Sequence, residues 1–147
     1  MPIRRDLLIE YLHKLQDQYK HISAGHIVAL ADLMKLAPAE IYEVATFYHH
    51  FDVVADGQPI PPLLTVRVCD SVTCELFGSE ELVSSLEVSL GHDVRVQRVP
   101  CVGRCDEAPV AVVGKNAIPR ATLSQVSDLV REGLSLIQIS EPTRLGM

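Results

Sequence analysis

All four cysteines of this chain fall in two short stretches, and each stretch follows a run that alternates like a β-strand. Cys69 and Cys74 lie in RVCDSVTCELFG, directly after LLTVRV, as a C-x4-C pair. Cys101 and Cys105 lie in VPCVGRCDEAP, directly after VRVQRV, as a C-x3-C pair. Each pair therefore sits where a strand gives way to a loop, and the two loops are expected to meet at one end of a sheet.

The pattern around the cysteines fixes the rest of the layout. Leu8, Leu12, Leu15 and Tyr19 recur at helical spacing. Ser23 is placed to cap a second helix, in which Ile27, Leu30, Ala31 and Met34 repeat that spacing. Pro38 suits a third helix's first turn, with Ile41, Val44, Ala45 and Tyr48 behind it. Residues 1–52 thus read as a three-helix segment. Residues 53–62 read as a linker, since ADGQPIPP joins a turn signal to three prolines.

From residue 63 the pattern changes to β-α-β-β-α. LLTVRV (63–68) and VRVQRV (94–99) are strands. Between them Ser79 is read as the cap of a helix that Gly91 ends, with Glu80 and Glu81 in its first turn. PVAVV (109–113) is a third strand leading into a GKN turn, and Thr122 with Gln125 forms a capping box for a last helix reaching about Glu132. The fold class is α+β or α/β, with helices packed on a sheet of mixed strand direction.

Charge and hydropathy exclude several functions. The formal net charge is −6, with acid spread through both halves and no basic footprint for nucleic acid. No apolar run approaches the roughly 20 residues needed to cross a bilayer, so no direct membrane insertion is expected. The N-terminus lacks a secretory leader's apolar stretch, which makes the cytoplasm the expected location and structural disulfides unexpected. No Rossmann fingerprint, P-loop or catalytic triad is legible, so the chain shows no catalytic site of its own.

Four readings of the cysteines compete. A disulfide within each loop conflicts with the expected compartment. A dithiol oxidoreductase favours C-x-x-C at a helix start, a spacing neither pair has. A zinc-stabilised interaction module without redox role needs four thiolates around one ion, usually on tighter knuckles. A [2Fe-2S] cluster is longer, with two irons each taking two thiolates, and loops of four and three intervening residues lean towards it.

Three stretches carry a resemblance that bears on this choice. ATFYHHF (45–51), VRVCDSVTC (66–74) and PCVGRCDEAPVAVVGKNAI (100–118) together resemble the thioredoxin-like [2Fe-2S] ferredoxin family. The likeness runs from about residue 4 to 132. It implies that residues 63–133 form a thioredoxin-like mixed β-sheet with flanking helices. It also implies that Cys69, Cys74, Cys101 and Cys105 ligate one [2Fe-2S] cluster, Cys69 and Cys74 on one iron and Cys101 and Cys105 on the other. Gly103 would let the second loop bend close to the sulfurs. The bond before Pro109 becomes a candidate for the cis form. Asp70, Glu75, Asp106 and Glu107 outweigh Arg104, so a low-potential cluster is expected. The stretch between Cys74 and Cys101 is short beside many relatives, which bears on loop length and not on ligation.

The function so implied is that of an electron-transfer subunit. It would exchange single electrons with a flavin (FMN)- and NAD(H)-binding partner subunit, in a complex with further iron–sulfur or catalytic subunits. Formate dehydrogenase, complex I and bidirectional hydrogenase all contain such a subunit, and TFYHHF leans towards the first. His49 and His50 are adjacent, point about 100° apart on a helix and make a poor metal pair. The α-helical pair 23–48 resembles a helix-turn-helix in outline only, because the basic residues are missing. The last stretch, LSLIQISEPTRLGM (134–147), reads as the translation of a transposon-derived sequencing adapter, so the native frame is expected to be lost near Leu134 and to continue differently, even as a fusion. A disordered native tail is the alternative.

Overall fold

In a computed structural model, which describes residues 4–133, the N-terminal helices form where the apolar spacing places them. The suspect tail 134–147 lies outside the described residues. The chain divides into two units, with the boundary between Pro61 and Pro62.

The first unit runs α1 (Leu8–Tyr19), β1 (Ile22–Ser23), α2 (Ala24–Met34), α3 (Pro38–Phe47) and β2 (Val53–Val54). Its core gathers Leu12, Ile22, Ile27, Leu30, Met34 and Ile41. Tyr19, counted in the first stripe, is exposed, and Gln16 is buried in its place. The α2 start is a reciprocal cap. His26 N–H donates to Ser23 Oγ at 3.2 Å, and Ser23 N–H donates back to His26 Nδ1 at 3.0 Å. His26 fills the position that Glu or Gln usually holds in such a box. In α3 Pro38 occupies the first turn, and Ala37 N–H donates to the Glu40 carboxylate at 2.9 Å. The segment read as a linker begins with strand, because Val53 and Val54 pair in parallel with Ile22 and Ser23.

The second unit holds β3 (Leu64–Cys69), α4 (Val72–Leu76), α5 (Ser79–Ser89), β4 (Val94–Val99), β5 (Ala111–Val113) and β6 (Asn116–Ile118), followed by α6 over 123–133. Strand order is β4-β3-β5-β6. The β3–β4 pair is parallel, and the other two pairs are antiparallel. Alternation along β3 sends Leu64, Val66 and Val68 to one face, where they cluster with Leu82, Val83 and Leu86 of α5 and Val126 and Val130 of α6. Burying each such side chain contributes about 1.5–3 kcal/mol. Thr65, Arg67 and Cys69 alternate with that set, so Cys69 belongs to a different cluster.

The start of α5 departs from the sequence reading. Gly78 is the N-cap, at φ 96°, and Ser79 is the first helical residue, buried and without a capping role. The chain leaves α4 through a turn closed by Gly78 N–H on the Glu75 carbonyl at 3.1 Å. Passing straight into α5 requires a left-handed residue there, which glycine adopts without a Cβ penalty. The capping box at Thr122 and Gln125 forms as read, with reciprocal contacts of 3.2 and 3.4 Å. Among the described residues no helix is long and apolar enough to cross a membrane.

Candidate metal centre

Strand order dictates where the cysteines go. Register pairs Cys69 with Val99, so β3 and β4 end side by side. β5 lies on the other flank of β3 and runs back from the same end, with Val68 opposite Ala111. The segment 100–110 leaves β4 on one side of β3 and enters β5 on the other. It has to cross the end of β3, and that end is Cys69.

Backbone hydrogen bonds pin the crossing at both sides. Asp70 N–H donates to the Val99 carbonyl at 2.9 Å, and Cys69 N–H donates to the Val110 carbonyl at 3.1 Å. Farther out, Arg120 N–H donates to the Glu107 carbonyl and Ala121 N–H to the Pro109 carbonyl, each at 2.8 Å. The Ala108–Pro109 bond between these anchors is cis. Val102 and Ala108 pack on the small cluster formed by Cys69, Cys74 and Val110. Both cysteine loops therefore share one patch at one end of the sheet.

The two pairs differ in environment. Cys69 and Cys74 are each only 2% exposed, Cys69 at the last position of β3 and Cys74 inside α4. Cys101 and Cys105 are exposed, with Sγ atoms 3.5 Å apart. Burial pushes the Cys74 thiol pKa up and neighbouring Cys69 adds to this, while a hydrogen bond from the Val110 backbone opposes both. Gly103 N–H donates to Cys101 Sγ at 3.3 Å, and this donor, with the Cys105 thiol, holds Cys101 below the ordinary thiol value. Cys105 is raised, chiefly by Cys101 beside it. Gly103 has φ 80°, which turns its N–H back onto the sulfur two residues earlier.

All four thiols are free of disulfides. Among the described residues no three His, Cys, Asp or Glu side chains close on one point as a single ion requires. The donor set stands as two thiol pairs, one deep and one at the surface, with a backbone N–H aimed at a sulfur of each pair. Such N–H donors favour the thiolate form that iron binds. Two thiol pairs with these donors fit a two-iron group, in which each iron takes two thiolates.

Charge around the patch is acidic. Asp70, Glu75 and Asp106 are exposed, and Arg104 is paired with Glu107 at 2.5 Å. Sequence reasoning missed two features. α4 is five residues long, too short to show a helical period, and it leaves Val72, Leu76 and Phe77 between 64% and 79% exposed beside Cys74. Val110 contributes through backbone atoms, which no side-chain pattern reveals.

Comparison with known proteins identifies the family. The model of the thioredoxin-like [2Fe-2S] ferredoxin family matches residues 1–133. NADH-quinone oxidoreductase subunit 2 of Thermus thermophilus is 30% identical over 97% of this chain and 83% of its own. NADP-reducing hydrogenase subunit HndA of Solidesulfovibrio fructosivorans is 26% identical over 90% of this chain and 80% of its own. A crystal structure of an NAD+-reducing [NiFe]-hydrogenase superposes with TM-score 0.67 at 23% identity, over 89% of this chain and 23% of that one. That superposition shows the shared thioredoxin-like α+β fold.

Proposed function

The chain belongs to the thioredoxin-like [2Fe-2S] ferredoxin family, whose members carry a [2Fe-2S] cluster, and we propose that Cys69, Cys74, Cys101 and Cys105 ligate one such cluster here. The observation that carries the ligand assignment is the forced crossing of segment 100–110 over the end of β3, which puts both thiol pairs at one patch. Cys69 and Cys74 would hold one iron and Cys101 and Cys105 the other. When bound, the cluster accepts and releases one electron at a time.

The protein's own groups set the conditions for that exchange. Val110 and Gly103 present backbone N–H groups to Cys74 and Cys101, and stabilise negative charge on those sulfurs. Asp70, Glu75 and Asp106 raise the cost of adding negative charge, and Arg104 is already matched by Glu107. The balance supports a low potential.

Electron transfer needs a partner, and the relatives named above are subunits of NAD(P)-linked complexes. The partner proposed here is the flavin- and NAD(H)-binding subunit of such a complex, of the formate dehydrogenase, NADH-quinone oxidoreductase or hydrogenase type, with formate dehydrogenase favoured by TFYHHF. The apolar ridge of Val72, Leu76 and Phe77 beside an acidic rim suits a protein surface more than open water.

Anaerobic purification tests this directly. Two irons and two acid-labile sulfides per chain, with visible absorption that bleaches on reduction, are expected. Colourless protein carrying one zinc would overturn it.

A further inference from the structure

We propose that the chain, before it receives a cluster, carries a thiol–disulfide site of its own: Cys101 and Cys105 close to a disulfide when they meet a small-molecule disulfide, while Cys69 and Cys74 stay reduced. Both outer sulfurs are exposed and 3.5 Å apart. A disulfide bond is about 2.05 Å long, so closure asks for a shift of about 1.5 Å. The backbone able to give that shift is irregular from residue 100 to 104, between its anchors at Val99 and Val110.

Exchange requires a third sulfur to approach in line with the bond that breaks. Cys101 and Cys105 are both exposed, so a dissolved disulfide can reach either. Cys69 and Cys74 are 2% exposed, under Val102, Ala108 and Val110, and a bulk disulfide cannot line up on them.

The reaction runs in two steps with glutathione disulfide as oxidant. The Cys101 thiolate attacks one glutathione sulfur, forming a mixed disulfide and releasing one glutathione thiolate. The Cys105 thiolate then attacks Cys101 Sγ, forming the protein disulfide and releasing the second glutathione thiolate, and two protein thiol protons pass to solvent or to the released thiolates. The protein pair is oxidised and glutathione disulfide is reduced. The closed pair has no thiolate to offer iron, so cluster loading then depends on prior reduction; only this consequence rests on the ligand assignment above.

The test uses the full chain, freed of iron anaerobically and exposed to glutathione disulfide, with peptide mapping over time. A Cys101–Cys105 bond forming at least about tenfold faster than any bond to Cys69 or Cys74 is expected, because access governs the rate. Cys105→Ser should stop at glutathione on Cys101. Equal reaction of all four cysteines, a bond between the loops, or no bond would each overturn the proposal. A mapped Cys101–Cys105 bond in a chain that takes up no cluster once reduced would uphold this site and sink the ligand assignment instead.

Discussion

Gln16 and Asp52 close the helical unit on itself. Asp52 N–H donates to Gln16 Oε1 at 2.9 Å, and Gln16 Nε2 donates to Asp52 Oδ2 at 3.1 Å and to the Lys20 carbonyl at 3.2 Å. Gln16 is buried, so these bonds form with little competition from water. Gln16→Ala should destabilise the protein by about 1–3 kcal/mol, read from urea unfolding. Gln16→Leu, which restores volume and not polarity, should recover little of that loss. Full recovery by Leu would show that packing, and not the amide, is what matters at this position.

The reciprocal cap at α2 makes the first unit sensitive to acid. Burial, helped by nearby His21, holds the His26 pKa below the ordinary imidazole value of 6.5. The unfolded chain therefore takes up a proton at higher pH than the folded one does. The stabilisation is complete above the ordinary value and is lost as pH falls through the lowered one. Protonation also places a hydrogen on Nδ1, the atom that accepts from Ser23 N–H. Stability should rise as pH climbs through the lowered value towards the ordinary imidazole value, and level off above it. His26→Glu rebuilds the box with a group already ionised there, and should flatten the slope. An unchanged slope in that variant would place the titration elsewhere.

Much of this was legible in the sequence where a period or a cap repeats. Leu12, Ile27, Leu30, Ala31, Met34, Ile41 and Ala45 are buried as their spacing predicts. Leu64, Val66 and Val68 face α5 and α6 for the same reason. Tyr19 ends its stripe exposed, with its ring against His26 at 4.5 Å, and Gln16 is buried because its amide has partners that lie far along the chain. β1, β2 and β6 are two or three residues long, too brief for alternation to register. Most of the site depends on strand order, which is tertiary information: with β3 between β4 and β5, the second cysteine loop crosses the first.

Gly103 isolates backbone strain from crowding. Its φ is 80°, and a Cβ added there meets nothing within 4 Å. Gly103→Ala should therefore cost about 1–2 kcal/mol through the left-handed backbone alone. Relief of that strain would swing the N–H off Cys101 Sγ, so cluster release on mild heating should quicken. Gly103→Asn, whose residue tolerates the left-handed region better, should lie between the two. Ala behaving as wild type in both thermal unfolding and cluster release would mean that this turn is not required.

Cys74→Ser tests the buried half of the proposed ligand set. The serine hydroxyl fits the space left by the thiol and can accept from the Val110 backbone as the sulfur does, so folding should survive, as far-ultraviolet circular dichroism would show. A hydroxyl stays protonated at neutral pH and is a harder, weaker donor to iron than a thiolate. Loss of an outer-shell partner alone costs about 10–100-fold in metal affinity, so loss of a direct ligand should cost at least that. Iron and acid-labile sulfide per chain should fall together, and visible absorption with them. Because Cys74 is buried, added thiol in solution should not rescue the variant, whereas at exposed Cys101 the same treatment of Cys101→Ala has room to supply a replacement sulfur. Wild-type iron content in folded Cys74→Ser would remove Cys74 from the ligand set and, with it, the two-pair arrangement.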